Sequence, residues 1–342
     1  MAQDGNIKVT FVSQKIKKIR WIPEDYAEAQ CFFTGSWDDE VNNIKVWVLD
    51  YINDNEVKYP KYVSNFVVEG NVTEIQFTGK NVIAVSTSDG KVRLLQISEY
   101  ERKTPLKEVF IWNNLHKIAG RACPCTSLAT MEGDIATVGE DGNVNILNSR
   151  RGDITRTITD ADSCSLHSVC FIKHNEVITG NLRGHMKIWD LRSSDNKPTH
   201  SFLFGGDQLA ATCIINHPTQ PYYILAGSES GEIAMWDLRV NTFPSTLKAH
   251  PSGVTEMKFH PENPNKLLTS SLSGELWEWN MEAVMKNTKT TENWIALQDK
   301  NTTQTNTLLE SFKPLNSFDC NKGNILVAGE NEAIHFIKNF KY

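Results

Sequence analysis

Cys123-Pro124-Cys125 is the one close thiol pair in this 342-residue chain. A tetrahedral metal site would need a second pair, or a His cluster at ligand spacing, and neither follows. The seven cysteines, at 31, 123, 125, 164, 170, 213 and 320, read instead as reduced, half-buried thiols. None of the nine His falls in a His-Glu-x-x-His pattern, and the chain has no Walker-type phosphate loop and no Gly-x-Ser-x-Gly elbow. The reading is therefore not an enzyme, with no cofactor, no metal and no small-molecule substrate. Lys15-Ile16-Lys17-Lys18-Ile19-Arg20-Trp21 is the densest basic run. It is compatible with a nuclear import signal or a phosphate-binding patch, but the solvated face of an N-terminal strand is the favoured reading. Trp47, Trp189, Trp236 and Trp279 could form a stacking or cation-π platform, yet they recur once per repeat, as core residues do.

That repeat supplies the elements. Met186-Lys187-Ile188-Trp189-Asp190-Leu191-Arg192 returns as Ile233-Ala234-Met235-Trp236-Asp237-Leu238-Arg239. Looser copies end at Trp47, Leu95, Leu147, Trp279 and Ile337, so seven copies recur at intervals of 42 to 58 residues. Such a period marks one supersecondary unit copied many times. Before each copy lies a turn, as in Ser88-Asp89-Gly90 and Glu140-Asp141-Gly142, and before that a short apolar run; Asp-Gly between alternating runs signals a hairpin. With a further strand on each side, each repeat becomes four antiparallel strands. The expectation is an all-β, single seven-bladed β-propeller. Its blades span about 14–68, 72–112, 122–158, 166–204, 211–248, 253–312 and 315–338 plus 7–13.

Seven blades of about 49 residues fill the chain as one domain. Forty per cent hydrophobic residues suffice for a core between blades, and no run approaches the roughly 18 apolar residues of a membrane span. Met1 to Ile7 lacks the basic and apolar regions of a signal peptide, which points to the cytosol or nucleus. A net charge of -6 argues against nucleic acid binding through bulk charge.

These residues resemble the WD-repeat family, whose blades end strand three with the Trp-Asp seen at Trp189-Asp190 and Trp236-Asp237. In that family a His near the start of the blade, a strand-two Ser or Thr, a turn Asp and the Trp form a buried hydrogen-bonded set. His250 and Trp279 match the His and the Trp, whereas Ser273 replaces the Asp. His217-Pro218 and His260-Pro261 fall where family blades turn from strand one to strand two. Blade seven has only five residues after its third strand, so Lys8 to Val12 is expected to supply its fourth strand and close the ring. Two connections exceed what the fold needs: Asp50 to Lys61 in blade one, and residues 281–307 inside blade six, before a fourth strand at Leu308 to Phe312.

Phe11 to Ile16, Phe33 to Asp38, Thr137 to Gly142 and Ala161 to His167 further resemble the small WD-repeat nucleoporins of the Y-shaped outer-ring scaffold complex of the nuclear pore. That resemblance implies a scaffold subunit at the nuclear envelope and pore, binding other nucleoporins of the outer ring, without membrane insertion. It implies support of protein and mRNA transport and, in animals, visits to kinetochores in mitosis. Phe-Gly occurs once, at Phe204-Gly205, so the chain is not a Phe-Gly-repeat barrier protein. The alternative rests on the paired Trp-Asp-x-Arg boxes, which resemble substrate receptors of cullin-RING ubiquitin ligases; there Arg192 and Arg239 would touch the adaptor, unless they only cap a turn. Candidate partner contacts, by elimination of repeat positions, are Trp37 to Asn43, the Tyr51 to Tyr62 excursion with Tyr51 and Tyr59, His116 to Arg121, and the insertion around Trp294; Arg192 and Arg239 join them through the ligase-receptor alternative.

Overall fold

The computed structural model describes residues 7–24, 29–51, 58–97, 106–204, 209–240, 245–282 and 305–338. Seven four-stranded antiparallel sheets form the ring. Their inner strands are Ile16–Trp21, Val72–Gly79, Cys125–Met131, Leu166–Lys173, Ala211–Asn216, Val254–His260 and Leu315–Asn321. The outer strands of blades one to six are Lys58–Val68, Leu106–Trp112, Asp153–Ile158, His200–Leu203, Ser245–Lys248 and Thr305–Glu310. Blade seven takes its outer strand, Ile7–Phe11, from the start of the chain, in register from Ile7 opposite Ile337 to Phe11 opposite Ala333. The last blade thus clasps both ends and leaves no open gap in the ring.

Two expectations on blade strands are corrected. Both ends of the Asp50 to Lys61 connection belong to strands rather than to a loop: strand three runs on to Tyr51 and strand four starts at Lys58, with Tyr51 opposite Lys58, while 52–57 lies outside the described residues. The ladder is carried outward by facing pairs such as Leu49 opposite Pro60 and Asp50 opposite Tyr59, which length alone did not reveal. In blade six the fourth strand begins at Thr305 rather than Leu308, pairing with Trp279. Most of the 281–307 insertion, 283–304 with Trp294, lies outside the described residues.

Seven apolar clusters of buried residues fill the joints between neighbouring sheets, one per joint. The sheet alternation sends one set of side chains to each neighbour, so a blade without its neighbours would leave both faces wet. A second seam runs along the inner strands. Thr73 Oγ1 donates to Cys125 O (2.6 Å), Thr126 Oγ1 to Leu166 O (2.5 Å), Ser168 Oγ to Ala211 O (2.9 Å), Thr212 Oγ1 to Val254 O (2.6 Å) and Thr255 Oγ1 to Leu315 O (2.6 Å). Asn316 Nδ2 closes the series on Ile16 O (3.0 Å). At the remaining joint, between blades one and two, Arg20 Nε donates to Ile75 O (3.0 Å).

Candidate functional site

The repeat residues occupy the joints. Trp47, Trp189, Trp236 and Trp279 are all buried. Three of the indoles donate Nε1 to a strand-two Thr two residues past the cross-strand partner: Trp47 to Thr34 (2.8 Å), Trp189 to Thr179 (3.0 Å) and Trp279 to Thr269 (2.9 Å). In blade five that position is Ala226, and Trp236 Nε1 is left buried without an acceptor. Packing against Phe202 and Phe204 holds that ring instead.

His250 completes the blade-six set. Its Nε2 meets Thr269 Oγ1 at 2.8 Å and its Nδ1 meets Glu275 Oε2 at 3.1 Å, while Ser273 Oγ donates to the same carboxylate oxygen. Glu275, two residues beyond the turn Ser, thus supplies the acid that the sequence pattern had missed. Desolvation holds the His250 pKa below its ordinary value despite the Glu275 carboxylate.

His116 corrects the candidate contact stretch that began with it. It is fully buried, with Nδ1 on Asp141 Oδ1 (2.8 Å) and Nε2 on Thr137 Oγ1 (3.1 Å). It is therefore the blade-three counterpart of His250, with Leu147 in place of the Trp. Burial opposes the charged imidazole, but neighbouring Cys125 and Asp141 outweigh it and raise the pKa to about 9. Burial likewise opposes the Asp141 carboxylate, and the bond from His116 brings its pKa down to about 2. The missing Gly-His signature hid this set; the spacing of 25 residues from His to acid, common to both blades, would have exposed it.

Arg192 and Arg239 fold back on their own turns. Arg192 Nε and Nη2 reach Asp190 at 3.0 and 2.8 Å, and Arg239 reaches Asp237 at 2.9 and 2.6 Å. Arg239 also lies over the Tyr222 ring at 3.6 Å. These planar, bidentate forks lock the turn after strand three. Trp37 lies on the opposite face, half-buried, with Lys15 and Lys17 at 5.7 and 5.4 Å from its ring centre. Tyr59 is half-buried in the blade-one strand pair that also carries Tyr51. Among the described residues, the candidate contacts Trp37, Arg192 and Arg239 therefore do not converge.

What does converge is a charge cluster on the ring axis, and it corrects the solvated reading of the basic run. Lys18 and Arg20 are buried. Arg20 Nη2 bridges Glu74 Oε1 of blade two and Glu256 Oε1 of blade six, at 2.6 Å each. Its Nη1 donates to Ser317 Oγ of blade seven (2.9 Å), and Ser317 Oγ donates to Glu256 Oε2 (2.6 Å). Lys18 Nζ sits 2.9 Å from Glu74 Oε2 and 3.7 Å from Glu256 Oε1, and Lys258 pairs with Asp319 at 2.8 Å. Three cations thus face three carboxylates across four successive blades. Burial opposes ionisation, yet Arg20 and Lys18 hold the Glu256 carboxyl far below its ordinary range, and Glu74 is lowered in the same way. Beside the cluster the channel opens into a cavity of about 630 Å³, whose lining includes Thr126, His167, Thr212 and Asn216.

Among the described residues no group of His, Cys, Asp and Glu could hold a metal ion, and no helix is long and apolar enough to cross a membrane. All seven cysteines are free thiols. Burial pushes the Cys170 and Cys320 thiols up to about 12, which leaves them weak ligands and nucleophiles.

Fold and site together define a WD-repeat β-propeller whose polar constellations hold blades together. Comparison with known proteins agrees. A family model described as the N-terminal β-propeller domain of nucleolar protein 10-like proteins matches residues 114–338. Nucleoporin Nup43 of Homo sapiens is 34% identical over 267 residues, 74% of this chain and 70% of that protein. The nuclear pore complex protein NUP43 of Arabidopsis thaliana is 25% identical over 247 residues, 66% of this chain and 67% of that protein. WD repeat-containing protein 55 of Mus musculus matches a shorter stretch, at 27% over 113 residues, 33% of this chain and 28% of that protein. The chain belongs to the Nup43 family of WD-repeat propellers.

Proposed function

We propose that this protein is a non-enzymatic scaffold subunit of the nuclear pore outer ring, where it binds other structural nucleoporins of the Y-shaped complex and supports traffic of protein and mRNA. The observation that carries the reading is the 34% identity to human nucleoporin Nup43 across 74% of the chain. The site chemistry supports it. His116 and His250 with their acids Asp141 and Glu275, and the indoles of Trp47, Trp189 and Trp279, are committed to bonds that hold the blades, and a closed ring offers rigid faces and a rim to several partners. In this reading the protein resides at the nuclear pore, with recruitment to kinetochores in mitosis as a further role. Trp37, Tyr51, Tyr59 and Trp294 are contact candidates, and no nucleic acid is bound directly.

No structural observation favours the ligase-receptor alternative, since Arg192 and Arg239 each form a bidentate pair with their own turn carboxylate. Mild affinity purification of the tagged protein, with mass spectrometry of what accompanies it, tests the proposal. Near-stoichiometric outer-ring nucleoporins are expected. Recovery of a cullin and its propeller adaptor instead would overturn it.

A further inference from the structure

Two turns share one pattern: His217-Pro218-Thr219-Gln220-Pro221 in blade five and His260-Pro261-Glu262-Asn263-Pro264 in blade six. Each links strand one to strand two, on the face that carries the Arg192 and Arg239 turns. Both imidazoles are buried. His217 Nδ1 accepts the backbone N–H of Gln220 (3.2 Å) and that of Thr219 (3.4 Å). His260 Nδ1 accepts that of Glu262 (3.2 Å). An amide donates only to a ring nitrogen that carries no proton, so both rings are neutral with the proton on Nε2.

From there the second histidine reaches the next blade. His260 Nε2 donates to Lys322 O (3.2 Å), in the corresponding turn of blade seven. The ring of His217 packs edge-on against Phe259, the residue before His260, with centroids 4.7 Å apart. The contacts thus run from the blade-five turn through blade six to blade seven. The blade-five turn also sets the surface beside it: Tyr222 Oη donates to Gln220 Oε1 (2.9 Å), and Arg239 stacks on the Tyr222 ring at 3.6 Å.

A proton on Nδ1 would set a donor against the amides that now donate to it. Thr219 Oγ1, 3.3 Å from His217 Nδ1, can turn to accept that proton, but the Gln220 amide then loses its acceptor, and the Glu262 amide loses its own. The surroundings oppose the charged form. For His217 burial is the larger influence, and the Pro264 carbonyl, which closes no full hydrogen bond to it, pulls the other way. Around His260 the Lys322 carbonyl and the Glu262 and Glu278 carboxylates favour the cation, Lys266 disfavours it, and burial outweighs them.

We propose that the paired His-Pro-x-x-Pro turns form a proton-sensitive latch, in which neutral His217 and His260 tie blades five, six and seven on one face and protonation opens both turns while the rest of the ring stays folded. Both rings are held below their ordinary 6.5, so the latch is closed above that value and opens as pH falls from there through the folded values. The axial carboxylates, ordinarily at 4.5, hold to lower pH, which leaves an interval in which the turns open and the axis does not. Opening frees Gln220, and with it the stack of Tyr222 and Arg239, so acid changes this surface. The inference is independent of the scaffold reading.

Because burial lowers His167, His250 and His335 as well, the test reads the two turns directly rather than global stability. Hydrogen–deuterium exchange of the full chain is compared at pH about 7.5 and about 5.5 as protection relative to the intrinsic amide rate; peptides over 216–223 and 260–266 should lose about ten-fold, as linkage gives for one unit below the ordinary imidazole value. The inner strand Ile16–Trp21 should not change. His217→Asn with His260→Asn keeps a side-chain acceptor for the turn amides, as Asn does in its own turns, but takes up no proton, so its protection there should not depend on pH. NMR of nitrogen-labelled histidines in the parent needs no variant, and at neutral pH should find the proton of both rings on Nε2. If the double variant does not fold, the parent exchange and the ring protonation decide. Unchanged parent protection in either turn, the same acid-dependent loss in the double variant, or a proton on Nδ1 at neutral pH would overturn the latch.

Discussion

Replacing Arg20 with Met should destabilise the ring severely, and the size of the effect follows from what the guanidinium touches. Arg20 makes two 2.6 Å contacts to buried carboxylates, one 2.9 Å bond to Ser317 and one 3.0 Å bond to Ile75 O. Met fills similar volume but leaves Glu74 with Lys18 alone, and Glu256 with only the longer contacts to Lys18 (3.7 Å) and Lys258 (3.9 Å). Removing one partner of a buried ion pair costs about 3 to 5 kcal/mol, because the surviving charge is stranded. The retained Lys18 argues for the lower end. With an m-value of about 3 kcal/mol/M for a chain of this size, the urea midpoint followed by tryptophan fluorescence should fall by about 1 M. Adding Glu74→Gln and Glu256→Gln to Arg20→Met removes the stranded charges, so the triple variant should recover a large part of the loss. A single variant within about 0.5 kcal/mol of the parent, or a triple variant no more stable than the single, would refute the idea that this cluster zips four blades.

Other outcomes are fixed by the same geometry. Deleting residues 1–13 removes the strand paired with Ala333–Ile337 and should lower the melting temperature of the whole domain; an unchanged melt would mean the ring closes without it. Thr269→Val takes the shared partner from both His250 and Trp279, and should cost about 2 to 4 kcal/mol in chemical denaturation. Trp236→Phe, by contrast, forfeits no indole hydrogen bond and should cost less than Trp189→Phe measured the same way. Stability should also fall on both sides of neutrality. Glu74 and Glu256 are depressed in the folded state, so their contribution is present above their ordinary value of 4.5 and is lost as pH falls through the folded values. His116 is raised, so its contribution is full below 6.5 and is lost as pH rises through about 9. Urea midpoints across pH should show both limbs, and His116→Gln should flatten the alkaline one.

The repeat itself was legible because it is written in local pattern. Alternation, the Asp-Gly turns and the Trp-Asp dipeptides each report on neighbours within one blade, so blade number, the ring and its closure by the N-terminal strand follow from the residues alone. Family membership was legible for the same reason, in segments such as Phe33 to Asp38 that a generic blade does not share. Partners brought together from distant blades were not legible. Arg20 and Glu256 are 236 residues apart and meet only because a closed ring points its inner strands at one axis. Nothing along the chain distinguishes a Lys-rich strand that faces water from one that faces two buried carboxylates. His116 was hidden for a different reason, since no Gly precedes it and Leu147 stands where the Trp would be, and Glu275 could replace the turn acid only because a strand-three side chain reaches the same imidazole. Local order is set by residues a few positions apart. Which charges meet in a low-dielectric interior is set by ring closure, and only the tertiary structure decides it.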